Sequence, residues 1–377
     1  MKHIYILCQN YLDPELERFS IGGIETYLQN LVNVILEEGK TPIVIQYANC
    51  NKSKMVNNIK VIGVDITGYK HLRHINKKLY ERFLIEYKIA PGILLFATEG
   101  MIPSNLDQDI YSIAIQHGIS WDKPNYSKNT KIKYELDYWI KALINRIVLK
   151  KAEKIKRMVC VDYNYVNWYR AQVAYSRIKL NVIPNFTEIP SYAGEATSSA
   201  PVKIIFARRF FEYRGTRIFI KAIKQLLQNN TNIDITIAGT GPDEAWMKSQ
   251  LPESTQVHYI QYQSCESLSI HRDKDIAVIP TIGSEGTSLS LLESMACGCA
   301  PVCTNVGGMT SIIIDGYNGL MVNPEEESLY LAIKSLIEDA ELRRKISAKA
   351  YETVKEGFSY DIWVSKWKKI IKEAFCE

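Results

Sequence analysis

Short apolar runs rich in isoleucine and valine recur along the whole chain, and longer segments with helical spacing of apolar residues separate many of them. This alternation is typical of a parallel sheet covered by helices. The runs that predict strands are IYILC, TPIVIQY, IKVIGV, GILLF, SIAIQ and MVCV in the first half, and KIIFA, IDITIAG, VHYIQY, IAVIP, APVCT and GLMV in the second. The pattern therefore predicts an α/β protein with two Rossmann-like, doubly wound parallel-sheet domains that face a cleft.

The alternation pauses at residues 183–200, where two prolines, a glycine and several small polar residues favour a linker. We predict one domain over 1–184 and a second over 185–358, and the chain has the length of two domains. An amphipathic helix at 359–377 must dock on one of them, and packing back on the first is one option. Ligands bind at the carboxyl ends of the strands in such sheets, so we expect the chemistry on loops that follow strands.

The composition, 46% hydrophobic and 23% charged, is that of a folded protein and excludes a disordered one. The first apolar run is too short for a signal peptide, and no stretch approaches the roughly 18 apolar residues of a membrane span, so we expect a cytoplasmic protein. The eight cysteines are scattered, which favours reduced thiols. Cys297, Cys299 and Cys303 cluster, but no nearby histidine completes a zinc set, and buried packing is the preferred interpretation.

Positive charge is concentrated in residues 128–157, which carry ten Lys or Arg and three Asp or Glu, whereas the whole chain has a formal net charge of +5. A solvated helix face would explain this, and so would contact with an anionic acceptor or with an anionic membrane surface. Nucleic acid is a poorer partner because no DNA- or RNA-binding module accompanies the charge. Peripheral contact with the inner face of the cell membrane is thus one expectation.

The richest chemistry lies in IAVIPTIGSEGTSLSLLE, where a strand runs into a glycine-containing loop and then into an apolar helix. The predicted helix start would offer the backbone N–H groups of Thr287, Ser288 and Leu289 to an anion, and Ser288 or Thr287 would cap the helix. Gly286 lies in the loop just before them. Because the helix dipole favours negative charge, the segment predicts a phosphate site.

Glu285 and Glu293 flank these amides, eight residues apart. A continuous helix would separate them by about 12 Å, which is wider than the roughly 5 to 9.5 Å of a glycosidase carboxylate pair. Two acceptors around a row of phosphate-binding amides suit an elongated ligand with hydroxyls at both ends, such as a sugar nucleotide. In the alternative interpretation, Glu285 only caps the helix and Glu293 is a surface residue.

Two arginines in KIIFARRFFEYRGT form a second basic element. Arg208 follows a predicted strand, and Arg214 precedes Gly215 at a predicted helix start. Guanidiniums suit bidentate contact with a diphosphate and stabilise charge that develops on a leaving group. Structural ion pairs are the alternative, and they are the preferred explanation for Arg209.

Other post-strand positions give weaker signals. Gly22 and Gly23 follow the first strand, where backbone can approach a ligand, although a tight turn would also explain the pair. His117 ends the run SIAIQ and could exchange a hydrogen bond with a ligand, or it could be a satisfied structural histidine. Gly241, in IAGTGPD, lies in a turn that either approaches the nucleotide or is only a turn.

Together these residues resemble the retaining glycosyltransferase family 4, which has the GT-B fold, over nearly the whole chain and in the expected order. The matching segments are Gly22 to Glu25 for the GGxE loop, His117, Ile183 to Asn185 at the linker, Arg208 and Arg214 for the diphosphate-holding Arg and Lys, Gly239 to Pro242 for the GxGP turn, Glu285 to Glu293 for the E-x7-E signature, and Val306 to Val322 after it. The resemblance implies that Glu285 contacts the transferred sugar and that Glu293 contacts the ribose.

The sequence departs from the family pattern at a few positions. Arg214 stands where lysine is usual, Ala207 and Phe186 replace glycines, and Thr287-Ser288 follows Gly286 where an aromatic residue with Gly or Pro is commoner. None of these changes removes a catalytic group. The last one bears on the sugar that the loop would contact.

The resemblance implies transfer of a sugar from a UDP- or GDP-sugar to an acceptor hydroxyl, in cell-surface polysaccharide or glycolipid biosynthesis. His117, Arg208, Arg214 and Glu285 would be catalytic, and the remaining positions would bind the donor. The leaving phosphate would accept the acceptor proton. We expect no metal or other cofactor and a saccharide or lipid-linked saccharide as acceptor. A sugar-nucleotide epimerase and a non-catalytic sugar-nucleotide-binding protein are the alternatives.

Overall fold

A computed structural model describes two compact units of this chain. The described residues are 2–20, 22–119, 131–173, 175–191, 201–229 and 232–377, with the backbone alone for 131–138. Unit 1 comprises 1–117, 128–183 and 364–377, and unit 2 comprises 118–127 and 184–363. Part of the predicted linker, from residue 192 to residue 200, lies outside the described residues.

Unit 1 is built on an eight-stranded sheet. Its strands are β1 His3–Cys8, β2 Thr41–Ala48, β3 Lys52–Val56, β4 Ile59–Asp65, β5 Gly92–Phe96, β6 Ser112–Gln116, β7 Arg157–Cys160 and β8 Lys179–Val182, and its helices are α1 Gly23–Glu37, α2 Leu72–Ile89, α3 Lys131–Ala152 and α4 Tyr163–Gln172. The strand order is β3-β4-β2-β1-β5-β6-β7-β8, and only β3 runs antiparallel to its neighbour. Apart from β3 and β8, this is the order of a dinucleotide-binding sheet.

Unit 2 is built on a six-stranded sheet in which every pair is parallel. Its strands are β9 Val202–Ala207, β10 Ile233–Ala238, β11 Val257–Ile260, β12 Ile276–Ile279, β13 Ala300–Thr304 and β14 Leu320–Val322. Its helices are α5 Thr216–Gln228, α6 Glu244–Gln250, α7 Ser267–His271, α8 Leu289–Ala296, α9 Glu326–Glu338 and α10 Ala340–Gly357. The order β11-β10-β9-β12-β13-β14 repeats the order of the inner strands in unit 1.

Both faces of the unit 2 sheet are covered by helices. Alternate residues of β9 enter two different buried clusters, Phe206 in one and Ile205 in the other, because successive side chains of a strand point to opposite faces. Helices α5 and α9 supply the first cluster, for example through Phe219, and α8 and α10 supply the second, for example through Leu292. The doubly wound architecture predicted from the sequence is thereby confirmed.

The last helix, α11 Tyr360–Cys376, contributes residues to both units. In unit 2 the ring of Trp363 packs 4.7 Å from the ring of Phe186. In unit 1 the indole nitrogen of Trp367 donates a hydrogen bond of 2.8 Å to the hydroxyl of Tyr27. Phe186 stands where the family that the sequence resembles has glycine, and its packing on Trp363 gives that difference a structural reason.

All twelve predicted strands are present, and the sequence pattern missed two more. Strand β3 (KSKMV) is almost entirely exposed and has no apolar run, and β8 (KLNV) is a short edge strand without a fully buried residue. Edge strands bury fewer side chains, so hydrophobic periodicity does not reveal them.

The clustered cysteines and the basic segment also have defined places. Cys297, Cys299 and Cys303 are buried, as predicted for packing residues, and burial raises the pKa of each thiol. The basic segment 128–157 coincides largely with α3, although residues 128–130 lie outside the described part of the chain. Among the described residues, no helix combines the length and the apolar character that crossing a membrane requires.

Candidate active site

The predicted catalytic residues of unit 2 lie at the point where its strand order reverses. Strands β9 and β12 are neighbours in the sheet, and their connections lead away in opposite directions. Arg208 directly follows β9, and Glu285 lies in the loop that follows β12. Such a switch point leaves a crevice at the carboxyl edge of the sheet, which is the usual ligand site of open α/β folds.

The carboxylate of Glu285 is the centre of this site. Its Oε2 atom accepts hydrogen bonds from Nη2 of Arg208 and from Nη1 of Arg214. The hydroxyl of Thr281 donates to the same oxygen at 2.9 Å and accepts a 2.7 Å hydrogen bond from Nη1 of Arg208. Glu285 is only 7% exposed and Arg208 only 8%. The structure therefore brings three of the four predicted catalytic residues together.

Burial and pairing oppose each other in this cluster. Burial acts to raise the pKa of Glu285, but the two guanidiniums outweigh it and hold that pKa below its usual range. Burial lowers the pKa of Arg208, while Glu285 holds the pKa of Arg214 above its ordinary value in spite of burial. Because arginine stays protonated in proteins, the cluster keeps a net charge of about +1. A positive charge remains to attract an anion.

Backbone packing fixes the loop that carries Glu285. Ser284 has a φ of 61°, which is uncommon for a residue other than glycine. A Cβ atom on Gly307 would lie 2.2 Å from the carbonyl oxygen of Glu285, so only glycine fits there. The N–H of Gly308 donates to the same carbonyl at 3.1 Å. The loop after β13 thus holds Glu285 in place.

Two further glycines allow close packing beside the arginines. Gly215 has a φ of 85°, and its Cβ would lie 1.8 Å from the carbonyl oxygen of Pro280. A Cβ on Gly241 would lie 2.5 Å from the carbonyl oxygen of Phe210, just beyond Arg208. Gly241 therefore supports the segment that carries Arg208, and its contact with a nucleotide stays a prediction.

The start of α8 differs from the prediction in one respect. Ser288 occupies the N-cap position and Leu289 is the first helical residue, but the Ser288 side chain forms no capping hydrogen bond. Its hydroxyl is buried and has no hydrogen-bond partner among the residues that the structure describes. The carbonyl of Thr287, the residue after Gly286, accepts a 2.9 Å hydrogen bond from the side chain of Asn185. Capping by Ser288 was therefore a wrong expectation, and its contact with a phosphate stays a prediction.

Glu293 lies on α8, in its second turn. Burial raises the pKa of its carboxyl. Because α8 begins only at Leu289, about half of the interval from Glu285 to Glu293 is helical. The separation of about 12 Å that a continuous helix would give therefore does not apply to Glu285 and Glu293. The ribose contact stays a prediction.

The remaining predicted residues belong to unit 1. Gly22 is the N-cap of α1 rather than part of a free loop, and its Cβ would lie 2.2 Å from a carboxylate oxygen of Glu25. Gly23 is the first residue of α1, and a Cβ there would meet no atom within 4 Å. Because the Glu25 carboxylate ends a flexible side chain that can move away, steric contacts in unit 1 require glycine at neither position.

His117 is held by its own unit through one ring nitrogen. Nε2 lies 3.0 Å from the carbonyl oxygen of Ala97, and the ring packs edge-on to Tyr27 at 5.1 Å. A carbonyl only accepts hydrogen bonds, so Nε2 carries the proton and Nδ1 is the acceptor in the neutral ring. Burial lowers the pKa of His117 to about 4, which keeps the ring neutral at physiological pH.

Sequence reasoning missed Thr281, Asn185 and the pair Gly307-Gly308. Thr281 carried a usable signal, because a polar residue directly after a buried strand lies at the edge where ligands bind. Asn185 was matched to the family only as the linker entry. The two glycines support Glu285 through contacts that connect distant segments of the chain, which spacing along the sequence does not reveal.

Known proteins resemble this chain over part or all of its length. Residues 193–353 match the family model described as Glycosyl transferases group 1. An uncharacterized glycosyltransferase of Methanocaldococcus jannaschii is 25% identical, over 93% of this chain and 95% of the relative. The epimerase and the non-catalytic binding protein are not favoured by the relatives found.

Solved structures identify the architecture. A sucrose-phosphate synthase from Thermosynechococcus elongatus superposes with a TM-score of 0.76 at 15% identity and full coverage of both chains. Anabaena HepE, in complex with UDP-glucose, superposes with a TM-score of 0.68 at 13% identity over 98% of this chain and 99% of that one. The chain has the GT-B fold. The chain is thus similar to group 1 glycosyltransferases over residues 193–353 and to the glycosyltransferase of Methanocaldococcus jannaschii over nearly its whole length.

Proposed function

We propose that this protein transfers a glycosyl group from a UDP- or GDP-sugar to an acceptor hydroxyl with retention of the anomeric configuration. The observation that carries the proposal is the buried cluster of Arg208, Glu285 and Arg214 at the switch point of unit 2. Two guanidiniums at such a crevice suit a diphosphate. The complex of the neighbour HepE with UDP-glucose supports a donor of this class.

In the proposed donor complex, the diphosphate lies between the arginines and the start of α8. The hydroxyl of Ser288 and the N–H groups at the helix start donate to its oxygens. Glu285 contacts the transferred sugar, and Glu293 contacts the ribose. The phosphate has to draw the guanidiniums away from Glu285, which frees that carboxylate to accept hydrogen bonds from sugar hydroxyls.

The proposed chemistry places the largest charge change at the departing phosphate. Arg208 and Arg214 stabilise it electrostatically as the glycosidic bond breaks. The leaving phosphate accepts the proton of the acceptor hydroxyl on the same face of the sugar, so no covalent nucleophile is needed. His117, neutral because of its low pKa, accepts a hydrogen bond from a sugar hydroxyl through Nδ1. Since the arginines supply positive charge, we expect the reaction to proceed without a metal or other cofactor.

The proposed acceptor is a saccharide or a lipid-linked saccharide, used in cell-surface polysaccharide or glycolipid biosynthesis. The basic segment 128–157 supports a peripheral position at the cytoplasmic face of the membrane, because lysines and arginines are attracted to anionic lipids.

A donor screen tests the proposal. The purified protein is incubated with UDP-, GDP- and ADP-sugars, and release of nucleoside diphosphate and thermal stabilisation are measured. We expect one donor to stabilise the protein, Glu285→Gln to lower transfer about a hundredfold or more, and the exposed control Glu338→Gln to behave as wild type. NMR of the product reports the anomeric configuration.

Several outcomes would contradict the proposal. An inverted product would exclude retention. Conversion of the donor to its epimer without an acceptor would indicate an epimerase, and donor binding without turnover would indicate a non-catalytic protein. If no donor stabilises the protein and Glu285→Gln changes no binding, the assignment of the site is wrong.

A further inference from the structure

A cationic cavity lies in unit 1. Its volume is about 660 Å³, and it is lined by the start of α2 and by the loop that follows β5. These elements follow β4 and β5, so the cavity opens at the carboxyl edge of the sheet, where α/β proteins bind ligands. Arg73, His74, Lys77 and Lys151 line it, and none of the described lining residues is Asp or Glu.

The charges around this cavity favour an anion. Burial lowers the pKa of Lys151, and the neighbouring charges of Arg73 and Lys154 lower it further, so these cations repel one another. The first turn of α2 contains no acidic residue, and its N-cap, His71, forms no side-chain capping hydrogen bond. A phosphate would relieve the repulsion and would be favoured by the positive end of the helix dipole.

An exposed apolar stripe on α3 leads to the same cavity. Ile140, Ile144, Ile147 and Lys151 recur at helical spacing on one face, and Lys151 lines the cavity. The stripe, completed by Trp139 and Leu143, is exposed at every position, between 48% and 67%. A contiguous apolar surface of this kind marks an interaction site.

Lysine and arginine side chains accompany the stripe. Lys141, Arg146 and Lys150 are exposed, and Glu153 is the only acidic residue between 139 and 157. An apolar face with tryptophan beside basic residues is the composition of helices that lie in the interface of a membrane. Charge complementarity therefore selects an anionic lipid surface as the occupant of this face.

We propose that unit 1 docks on an anionic lipid bilayer through α3 and that the cavity binds the phosphate of a lipid headgroup. The stripe enters the boundary between headgroups and acyl chains, and Lys151, Arg73 and Lys77 contact the phosphate below it. This proposal rests on the proposed function in one respect. A phosphate-bearing lipid of this kind would be the acceptor class of the proposed transfer.

Vesicle co-sedimentation of the full chain tests the docking. We expect binding to vesicles that contain phosphatidylglycerol, weaker binding to phosphatidylcholine alone, and loss of binding at high salt. Ile144→Gln with Ile147→Gln should lower binding about tenfold or more, whereas Ile89→Gln, at an exposed position of α2, should leave it unchanged. Equal loss in both variants would overturn the proposal. So would a dimer that the α3 substitutions convert to monomer, because a second copy would then cover the stripe.

The cavity is tested with Arg73→Gln and Lys151→Gln together, and with Lys88→Gln at the other end of α2 as the matched control. The double variant should bind anionic vesicles about tenfold more weakly, and it should also lose thermal stabilisation by inorganic phosphate. Wild-type vesicle binding in the double variant would overturn the headgroup site. Phosphate stabilisation without any vesicle binding would overturn the lipid source.

Donor-dependent thermal stabilisation, measured on the same variants, separates the two proposals. If vesicles bind and no donor does, the docking stands and the proposed function fails. If a donor binds and vesicles do not, the docking proposal fails and the proposed function stands.

Discussion

The two units share the order of six strands but differ in how positive charge is neutralised at the carboxyl edges of their sheets. In unit 2, Glu285 and its two arginines satisfy each other in a buried network that surrounding backbone holds in place. In unit 1, Gly23 faces open space, and a cavity is lined by Arg73, Lys77 and Lys151, with no Asp or Glu among its described lining residues. A fixed network suits a ligand part that never varies, such as a diphosphate. An open cationic edge suits a ligand that brings its own negative charge, such as the proposed lipid phosphate.

The largest expected effect breaks the network of unit 2. Arg208→Ala should lower kcat/KM for the nucleotide sugar about a thousandfold, because it removes a donor to the leaving phosphate. It should also lower the free energy of unfolding by about 3 kcal/mol, because Glu285 stays buried with one cation fewer. Steady-state kinetics and urea unfolding measure the two effects. The exposed neighbour gives the control Arg209→Ala, and an equal loss of activity there would contradict the assignment.

The pH dependence of stability tests whether each unit holds a neutral histidine. Burial lowers the pKa of His117 in unit 1 and of His271 in unit 2 to about 4, from 6.5. Between these values the unfolded chain binds more protons, so stability is full above pH 6.5 and falls as the pH is lowered toward 4, by up to about 3 kcal/mol per histidine.

Urea unfolding at a series of pH values measures this slope. His117→Gln and His271→Gln should each flatten it over the same pH range. If the rate of transfer has an inflection near pH 6.5, His117→Gln should leave that inflection in place. Loss of an inflection near pH 6.5 in His117→Gln would mean that His117 titrates normally in the folded protein.

Two glycine substitutions compare how well the carboxyl edges of the two sheets tolerate an added Cβ atom. Gly215→Ala in unit 2 should cost about 2 kcal/mol or more of unfolding free energy, because of its positive φ and the contact with Pro280. Gly23→Ala in unit 1 should change stability by less than about 0.5 kcal/mol. It should nonetheless lower transfer about tenfold if a ligand lies against that backbone, as the proposed function requires. Thermal unfolding and kinetics measure both, and unchanged transfer in Gly23→Ala would make the glycine pair only a turn.

The smallest effect concerns the unpartnered hydroxyl at the start of α8. Ser288→Ala should leave stability within about 0.5 kcal/mol, because the hydroxyl has no partner to lose. It should weaken donor binding about fivefold, because one hydrogen bond to phosphate is lost. Calorimetric titration with the donor measures this, and an unchanged Kd would mean that the phosphate does not contact Ser288.

Much of unit 2 was predictable because its signals are local. A few neighbouring residues are enough to predict the strand KIIFA and the loop that contains Glu285. The strand order then places Arg208 beside Glu285. The role of Gly307 was not predictable, because it depends on an approach to Glu285 that no local pattern encodes. Strand β3 of unit 1 was not predicted either, because a strand whose side chains are almost all exposed has no alternation of apolar and polar residues.

Unit 1 was harder to interpret because the residues of its apolar stripe and cavity come from separate segments of the chain. The basic character of 128–157 was visible in the composition, but not the exposed stripe from Trp139 to Ile147, whose apolar residues look like an ordinary core face in sequence. Only the structure shows that these described side chains are exposed. Arg73, which lines the cavity together with Lys151, had no motif to mark it.

The shared oxygen of Glu285 has a consequence for selectivity. A carboxylate that already occupies both guanidiniums acts as a tethered competitor, present at high effective concentration, which every incoming anion must displace. A single weak anion replaces one contact with another and gains little. A diphosphate that spans both cations and reaches the start of α8 gains contacts that the carboxylate cannot make. In the proposed function, this cluster would therefore discriminate between anions by the number of oxygens they present rather than by their charge alone.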